Sequence, residues 1–159
     1  MPRRMPAAAK RNPVNAIDPR HCVFRHLSRS LRSVAQHYDR GLRPHGLTAA
    51  QFTLLMTLAR LGEQKVGALA AELAMDPSTV PRVLLPLRRR GWIRVAIGSD
   101  RRSRLVSIAE PGSRLLRQVL PHWQSLQAEA LAQLAPVDWR DLRHSLAHLR
   151  QQLASATHG

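Results

Sequence analysis

The first apolar stripe of the chain has the spacing of an amphipathic helix, with hydrophobic residues three or four positions apart. It follows Asp18 and Pro19, a favoured N-cap residue and a residue suited to the first helical position. Gly41 is expected to end this first helix in a left-handed conformation. The stripe comprises Val23, Phe24, Leu27, Leu31, Val34, Ala35 and Tyr38.

A second helix is predicted from Thr48 to Gly62. Thr48 and Gln51 have the spacing of a capping box, in which each side chain accepts a hydrogen bond from the other residue's backbone N–H. Gly62 supplies a helix end. The side expected to be buried consists of Phe52, Leu55, Met56, Ala59 and Leu61.

Two more helices are predicted with only a few residues between them. The third is short, from about Gly67 to Leu73. Asp76 and Pro77 repeat the N-cap device and predict the start of a fourth helix, which Gly91 ends. Two helices joined in this way form a helix-turn-helix, whose second helix contacts the bases of DNA.

A β-hairpin is predicted directly after the fourth helix. Strand-like runs at residues 92–97 and 105–108 flank a turn at residues 98–100, and the tip carries Arg101 and Arg102. The helix can enter the major groove of DNA while the arginine tip reaches the adjacent minor groove.

The C-terminal part has two further helical patterns. Pro111 begins a long one, in which Pro121 is expected to introduce a kink, and Pro136 begins the last. Together with the first helix they carry more apolar surface than a small DNA-binding head requires. The excess predicts a homodimer interface, although part of the stripe must form an ordinary intramolecular core.

The overall charge favours a polyanionic partner. The 159 residues carry a formal net charge of +15, and residues 82–104 alone contain eight arginines and one acid. The 44% apolar content argues against wholesale disorder. No apolar run approaches the roughly 18 residues of a membrane span, and the basic start lacks the apolar segment of a secretory signal. A single cysteine, Cys22, suits a reducing compartment, so a cytoplasmic protein without membrane contact is expected.

Enzymatic chemistry is not indicated. The chain contains no G-x-S-x-G, P-loop or H-E-x-x-H motif, and its ten acidic residues show no paired carboxylates. His144 and His148, and separately the residues 21–26, have spacings compatible with zinc but lack matching carboxylates. No metal and no cofactor are therefore predicted.

Four segments resemble the MarR family of winged helix-turn-helix transcriptional regulators. They are YDRGLRPHGLTAAQFTLL (38–55), LAAELAMDPSTVPRVLLPLRRRGWI (69–93), GSDRRSR (98–104) and PHW (121–123), and the resemblance extends over about residues 20–153. It implies a homodimer of triangular outline in which helices one, five and six dimerise and the fourth helix enters the major groove. It also implies that Arg102 inserts into the minor groove, oriented by Asp100. Pro81 departs from the family pattern and puts the geometry of the recognition helix in question.

The expected fold is mainly α with a small β-wing. Residues 1–17 are predicted to be a flexible basic arm, and residues 47–109 a winged helix-turn-helix DNA-binding head. Residues 18–46 and 110–155 are predicted to form a helical dimerisation region.

Contacts to double-stranded DNA can be assigned by side-chain chemistry. Arg82 suits guanine in the major groove, because arginine can donate two hydrogen bonds to O6 and N7. Arg102 and Arg101 suit a narrow minor groove. The remaining candidates are Ser78 and Thr79 for phosphates or base edges, and Lys65 and Arg104 for phosphates; Arg88–Arg90 are either DNA contacts or a solvated face.

Two signals are considered. Cys22 is expected in the first turn of the first helix beside basic residues; both the helix start and these cations favour the thiolate, so it is either an oxidant sensor or an idle cysteine. Tyr38, Phe52, Met56 and Trp123 are either the lining of a pocket for a small aromatic ligand or plain core.

The function predicted is a dimeric, sequence-specific transcriptional regulator, a repressor released from a pseudo-palindromic operator by a small ligand or by oxidation. The alternative is a basic protein of the nucleoid type that binds nucleic acid without sequence preference. A membrane-surface protein is a third class, against which the polar hairpin tip argues.

Overall fold

The computed structural model describes residues 18–98 and 103–156. The described residues up to Val34 belong to one unit and those from Ala35 onward to a second. The helices are α1 (Val23–Leu42), α2 (Ala49–Leu61), α3 (Val66–Glu72), α4 (Val80–Arg89), α5 (Glu110–Ala132) and α6 (Trp139–Ala156). The strands are β1 (Gln64–Lys65), β2 (Ile93–Ile97) and β3 (Arg104–Ile108), in one antiparallel sheet of order β1-β3-β2. The predicted fold class is confirmed: the fold is mainly helical with a small β-wing.

The two ends of the first helix differ from the prediction. Asp18 accepts a hydrogen bond from the Arg20 backbone N–H at 2.9 Å and caps a single 3-10 turn, and α1 begins only at Val23. Gly41 does not end α1, which continues to Leu42. Gly41 instead lies against the Leu126 side chain, which a Cβ at this position would overlap.

The ends of α2 are as predicted, but Ala59 and Leu61, which were expected to be buried, are exposed. Gln51 donates its backbone N–H to the Thr48 hydroxyl at 3.3 Å, and Thr48 donates its own to the Gln51 side chain at 3.1 Å. Gly62 follows the helix at φ +74°, with its N–H bonded to the Leu58 carbonyl. The capping box therefore fixes the start of α2, which contributes Phe52, Leu54, Leu55 and Leu58 to the core.

The start of α4 was predicted wrongly. The Asp76 carboxylate accepts the Ser78 backbone N–H at 2.7 Å, and the Asp76 carbonyl accepts that of Thr79 at 2.8 Å. These bonds close a turn, and α4 begins at Val80. Pro81 therefore stands in the first turn of the helix, where a backbone N–H has no intrahelical partner to lose. At this position Pro81 removes no intrahelical hydrogen bond from α4.

The hairpin follows α4 through a tight helix end. Gly91 has φ +69°, its N–H bonds the Arg88 carbonyl, and the Trp92 N–H bonds the Leu87 carbonyl, which is a Schellman motif. Strands β2 and β3 confirm the predicted hairpin. Strand β1 was not predicted, because two residues are too few to show an alternating pattern.

The last two helices begin at different distances from their prolines. Pro111 occupies the first turn of α5, as predicted. The next helix does not begin at Pro136: the Asp138 carboxylate accepts the Arg140 N–H at 2.6 Å, and α6 begins at Trp139. A carboxylate that satisfies a free N–H decides the start here, as it commonly does at helix N-termini.

One hydrophobic core lies in the unit that begins at Ala35. Helix α2 packs against α4, α5 and β3 around it. Its buried side chains include Leu42, Phe52, Leu54, Leu55, Leu58, Leu69, Val80, Leu87, Val106 and Val119. Helix α4 and the hairpin therefore pack against the same core. Among the described residues, no helix is both long and apolar enough to span a membrane.

Candidate nucleic-acid interface

Helix α4 presents a basic face opposite its buried side. Val80, Leu84 and Leu87 are buried in the core. At about 100° per residue, the side opposite them carries Arg82, Leu85 and Arg89, all exposed. These three residues are called the outward face below. Arg82, the predicted base contact, thus lies on the exposed side of α4 that points away from the core.

The turn before α4 is held by Asp76. Hydrogen bonds from the Ser78 side chain, and then from its backbone N–H, lower the pKa of the Asp76 carboxyl below its usual value of 3.8. The backbone N–H groups of Ser78 and Thr79 are both bonded to Asp76, so neither is available to bind a phosphate. Both side chains are exposed, and Thr79 makes no side-chain cap to the helix. Any contact from Thr79 therefore uses its hydroxyl.

The hairpin is described up to the base of its tip. The Gly98 N–H bonds the Ser103 carbonyl at 3.1 Å and closes the described part of the ribbon. Asp100, Arg101 and Arg102 lie outside the described residues.

Strand β1 brings Lys65 to the hairpin. Lys65 pairs with Leu105, the residue after Arg104, and both basic side chains are exposed. Arg104 also donates from its guanidinium to the Ser103 carbonyl at 3.2 Å. Two residues far apart in sequence, both predicted as phosphate contacts, thus lie on neighbouring strands, one residue out of register.

An open groove of about 690 Å³ lies between the start of α3, helix α4 and the hairpin. We call it the basic groove, because Lys65, Arg88 and Arg104 line it together with an apolar floor. The floor and walls comprise Val66, Gly67, Ala68, Pro81, Leu84, Leu85, Val95 and Ser103. The groove joins the outward face of α4 at Leu85. Arg88, left open by the sequence, therefore belongs to the same surface as the predicted phosphate contacts.

Arg90 has a different role from the other arginines of α4. Its guanidinium donates a hydrogen bond to the Gly46 carbonyl and lies 4.8 Å from the centre of the Trp92 ring. A cation over an aromatic ring is attracted to the π-electrons. Arg90 therefore fastens the end of α4 to the connector before α2, a contact with no signal in local sequence.

Of the four predicted pocket residues, two line a common cavity and two do not. Phe52 and Met56 line a cavity of about 470 Å³ with Thr57, Ala59, Arg60, Leu116, Arg117 and Leu120. Trp123 stacks on Phe52 with ring centres 5.7 Å apart. Tyr38 does not line this cavity; its hydroxyl donates to the Gln127 side chain at 2.5 Å, and burial raises its pKa above 10.0.

Cys22 is exposed, and it lies just before α1 rather than within its first turn. Its carbonyl accepts the His26 backbone N–H at 3.1 Å, so it occupies the N-cap position. Within residues 18–98 and 103–156, no three histidine, cysteine or acidic side chains are close enough together to hold a metal ion.

Comparisons with known proteins agree with this geometry. The sequence model of the MarR family matches residues 47–103, which span α2, the helix-turn-helix and part of the hairpin. An HTH-type transcriptional regulator of Mycobacterium bovis is 34% identical over 104 residues, covering 65% of this chain and 72% of that protein. The regulator YwoH of Bacillus subtilis is 24% identical over 133 residues, covering 84% of this chain and 96% of that protein.

A solved structure shows the same fold in a complex with DNA. The transcriptional regulator MosR of M. tuberculosis, crystallised with DNA, is 32% identical with a TM-score of 0.77. The alignment covers 86% of this chain and 98% of that one. The chain belongs to the MarR family of DNA-binding winged helix-turn-helix transcriptional regulators.

Proposed function

We propose that the protein is a homodimeric repressor that binds a pseudo-palindromic operator and is released by a small ligand or by oxidation. The observation that carries the DNA-binding part is the continuity of the outward face of α4 with the basic groove. A helix that presents arginines beside a basic cleft matches the shape and the charge of a major groove bordered by phosphates.

Each candidate residue has a proposed contact. Arg82 donates to a guanine edge, and the Thr79 hydroxyl contacts a phosphate or a base edge. The Ser78 hydroxyl, which donates to Asp76, makes the same kind of contact by exchanging that bond for one to DNA. Lys65 and Arg104 contact phosphates from the rim of the basic groove. For the hairpin tip, the family resemblance supports Arg102, with Arg101 beside it, in the minor groove and Asp100 as the residue that orients Arg102.

Exposed apolar side chains support the dimer. In the unit that ends at Val34, Phe24 is 79% exposed and Leu31 is 70% exposed. In α6, Leu153 is 60% exposed, and no residue of that described helix is buried. Large apolar residues left in water along whole helices favour association with another copy. We propose that residues 18–46 and 110–155 dimerise, that residues 47–109 form the head and that residues 1–17 form a basic arm.

Two features support a signal. The 470 Å³ cavity at Phe52 and Met56 has the size and the apolar lining of a small-molecule site, and Arg60 and Arg117 at its edge could attract an acidic aromatic ligand. Those arginines already pair with Glu72 at 2.6 Å and Glu110 at 3.2 Å, so a ligand would compete with these pairs. Exposed Cys22 is accessible to an oxidant, and any disulfide it forms must be to another molecule.

The net charge of +15 favours a second candidate, a nucleoid-type protein without sequence preference. The two are separated by selecting bound duplexes from a random DNA pool, with and without peroxide, at physiological salt. We expect a pseudo-palindromic site with half-sites about one helical turn apart. Recovery of unbiased sequence would reject the repressor and favour the alternative. Cys22→Ser should bind as wild type does and lose any response to peroxide; an unchanged response would remove Cys22 as the sensor.

A further inference from the structure

We infer that Leu85 determines part of the operator sequence by packing against the 5-methyl group of a thymine in the major groove. The inference deepens the proposed function and rests on it. It concerns an exposed apolar side chain that is not part of the hydrophobic core.

Leu85 lies on the exposed side of α4. It is three residues after Arg82 and four before Arg89, on the outward face of α4, and 46% of it is exposed. The core takes Leu84 and Leu87 from the same helix, so Leu85 points away from it. If Arg82 and Arg89 contact the bases, Leu85 lies close enough to contact them as well.

The residues around Leu85 combine an apolar wall with a cationic rim. Leu85 and Pro81, one helical turn earlier, form a continuous apolar wall of the basic groove with Val95 of the hairpin. The rim is cationic through Lys65, Arg88 and Arg104, and α4 contains no acidic residue. An apolar peptide would leave these charges unmatched. Double-stranded DNA supplies phosphates for the rim and one apolar group for the wall.

That apolar group is the thymine methyl. In the major groove the bases present hydrogen-bond donors and acceptors, and thymine alone adds a methyl group. Removing one methyl group from water against a leucine is worth about a four-fold difference in affinity. The contact therefore modulates specificity without dominating binding, which is left to the arginines.

Replacing thymine by deoxyuridine tests this contact, because it deletes only the methyl group. The duplex selected from the random pool is resynthesised with single thymines replaced, and each version is titrated with wild type, Leu85→Ala and Leu61→Ala. Leu61 is the matched control, since it is a partly exposed leucine at the end of α2, outside both surfaces. Alanine on an exposed helical position does not oppose folding, and circular dichroism checks each variant.

We expect that each half-site contains one thymine whose replacement by deoxyuridine lowers the affinity of the wild type about four-fold. Leu61→Ala should show the same loss, whereas Leu85→Ala should bind both duplexes equally. Equal sensitivity of Leu85→Ala and wild type would overturn the inference and leave the proposed function standing. The same holds if no thymine replacement affects wild type or if the selected half-site contains no thymine. Failure to select any preferred site would overturn the proposed function and the inference together.

Discussion

The arginines of α4 differ in what their side chains contact. Arg82 and Arg89 project from the outward face, Arg88 borders the basic groove, and Arg90 is bonded to the Gly46 carbonyl and covers Trp92. From the sequence alone the run of three arginines looks uniform. Because successive helical residues are rotated by about 100°, neighbours in such a run necessarily meet different surroundings.

Arg82 is expected to contribute through hydrogen-bond geometry as well as charge. Arg82→Lys keeps the positive charge but lacks the planar fork that pairs with guanine. We predict that it loses about ten- to a hundred-fold in affinity for the selected site, the cost of one lost bidentate contact. Affinity for random DNA should change little, as measured by fluorescence anisotropy with both duplexes. An equal loss on both would show that Arg82 contacts phosphates instead.

Arg90 is expected to stabilise the fold and to leave DNA binding unchanged. Arg90→Met keeps an unbranched chain but removes the bond to Gly46 and the cation over Trp92. We predict that the free energy of unfolding falls by about 1–2 kcal/mol, the sum expected for one hydrogen bond and one exposed cation–π contact. Urea denaturation measures this, and the Kd for DNA should remain within error of wild type. Weaker DNA binding at unchanged stability would contradict this assignment.

At the scale of elements, the helix ends set where the DNA-binding surface begins. The Asp76 turn delays α4 to Val80, and the Schellman motif at Gly91 directs the chain into β2. Strand β1 then carries Lys65 to the edge of β3. These connections form the basic groove. Its basic residues, Lys65, Arg88 and Arg104, are far apart in the sequence.

The junction between the hairpin and α5 is expected to tolerate no side chain at Gly112. A Cβ there would overlap the Trp92 carbonyl oxygen, a backbone atom that cannot rotate away. We predict that Gly112→Ala lowers the free energy of unfolding by about 1–3 kcal/mol, the usual cost of overpacking. The matched control is Gly67→Ala in α3, where an added Cβ meets no atom within 4 Å. Chemical denaturation of both should show the loss only for Gly112→Ala.

At the scale of the whole molecule, the proposed function depends on a second copy. Two heads are needed to contact two half-sites of a pseudo-palindrome, and the exposed apolar faces of α1 and α6 are the surfaces available for pairing. A net charge of +15 adds attraction to DNA that acts on every sequence alike.

Charges placed on these faces are expected to separate the protomers. We predict that Leu31→Glu combined with Leu153→Glu weakens dimerisation by at least about tenfold, since it buries unpaired carboxylates in the interface. Light scattering coupled to size exclusion measures the mass over a dilution series. Leu61→Glu serves as the control, being a partly exposed leucine outside both faces. A double variant that remains dimeric at every concentration would place the interface elsewhere.

The sequence by itself determined the features that depend on residues a few positions apart. The Thr48 capping box, the end of α2 at Gly62, the end of α4 before Gly91 and the hairpin are local hydrogen-bond arrangements, and all four appear as predicted. The tertiary structure decided the rest. Gly41 lies inside α1 with the Leu126 side chain against it, and the Arg90 guanidinium is bonded to a carbonyl far away in the chain. Lys65 reaches Arg104 only through sheet pairing, and Leu85 is exposed only because its neighbours fill the core. These outcomes depend on which segments pack together, and local spacing contains no record of that.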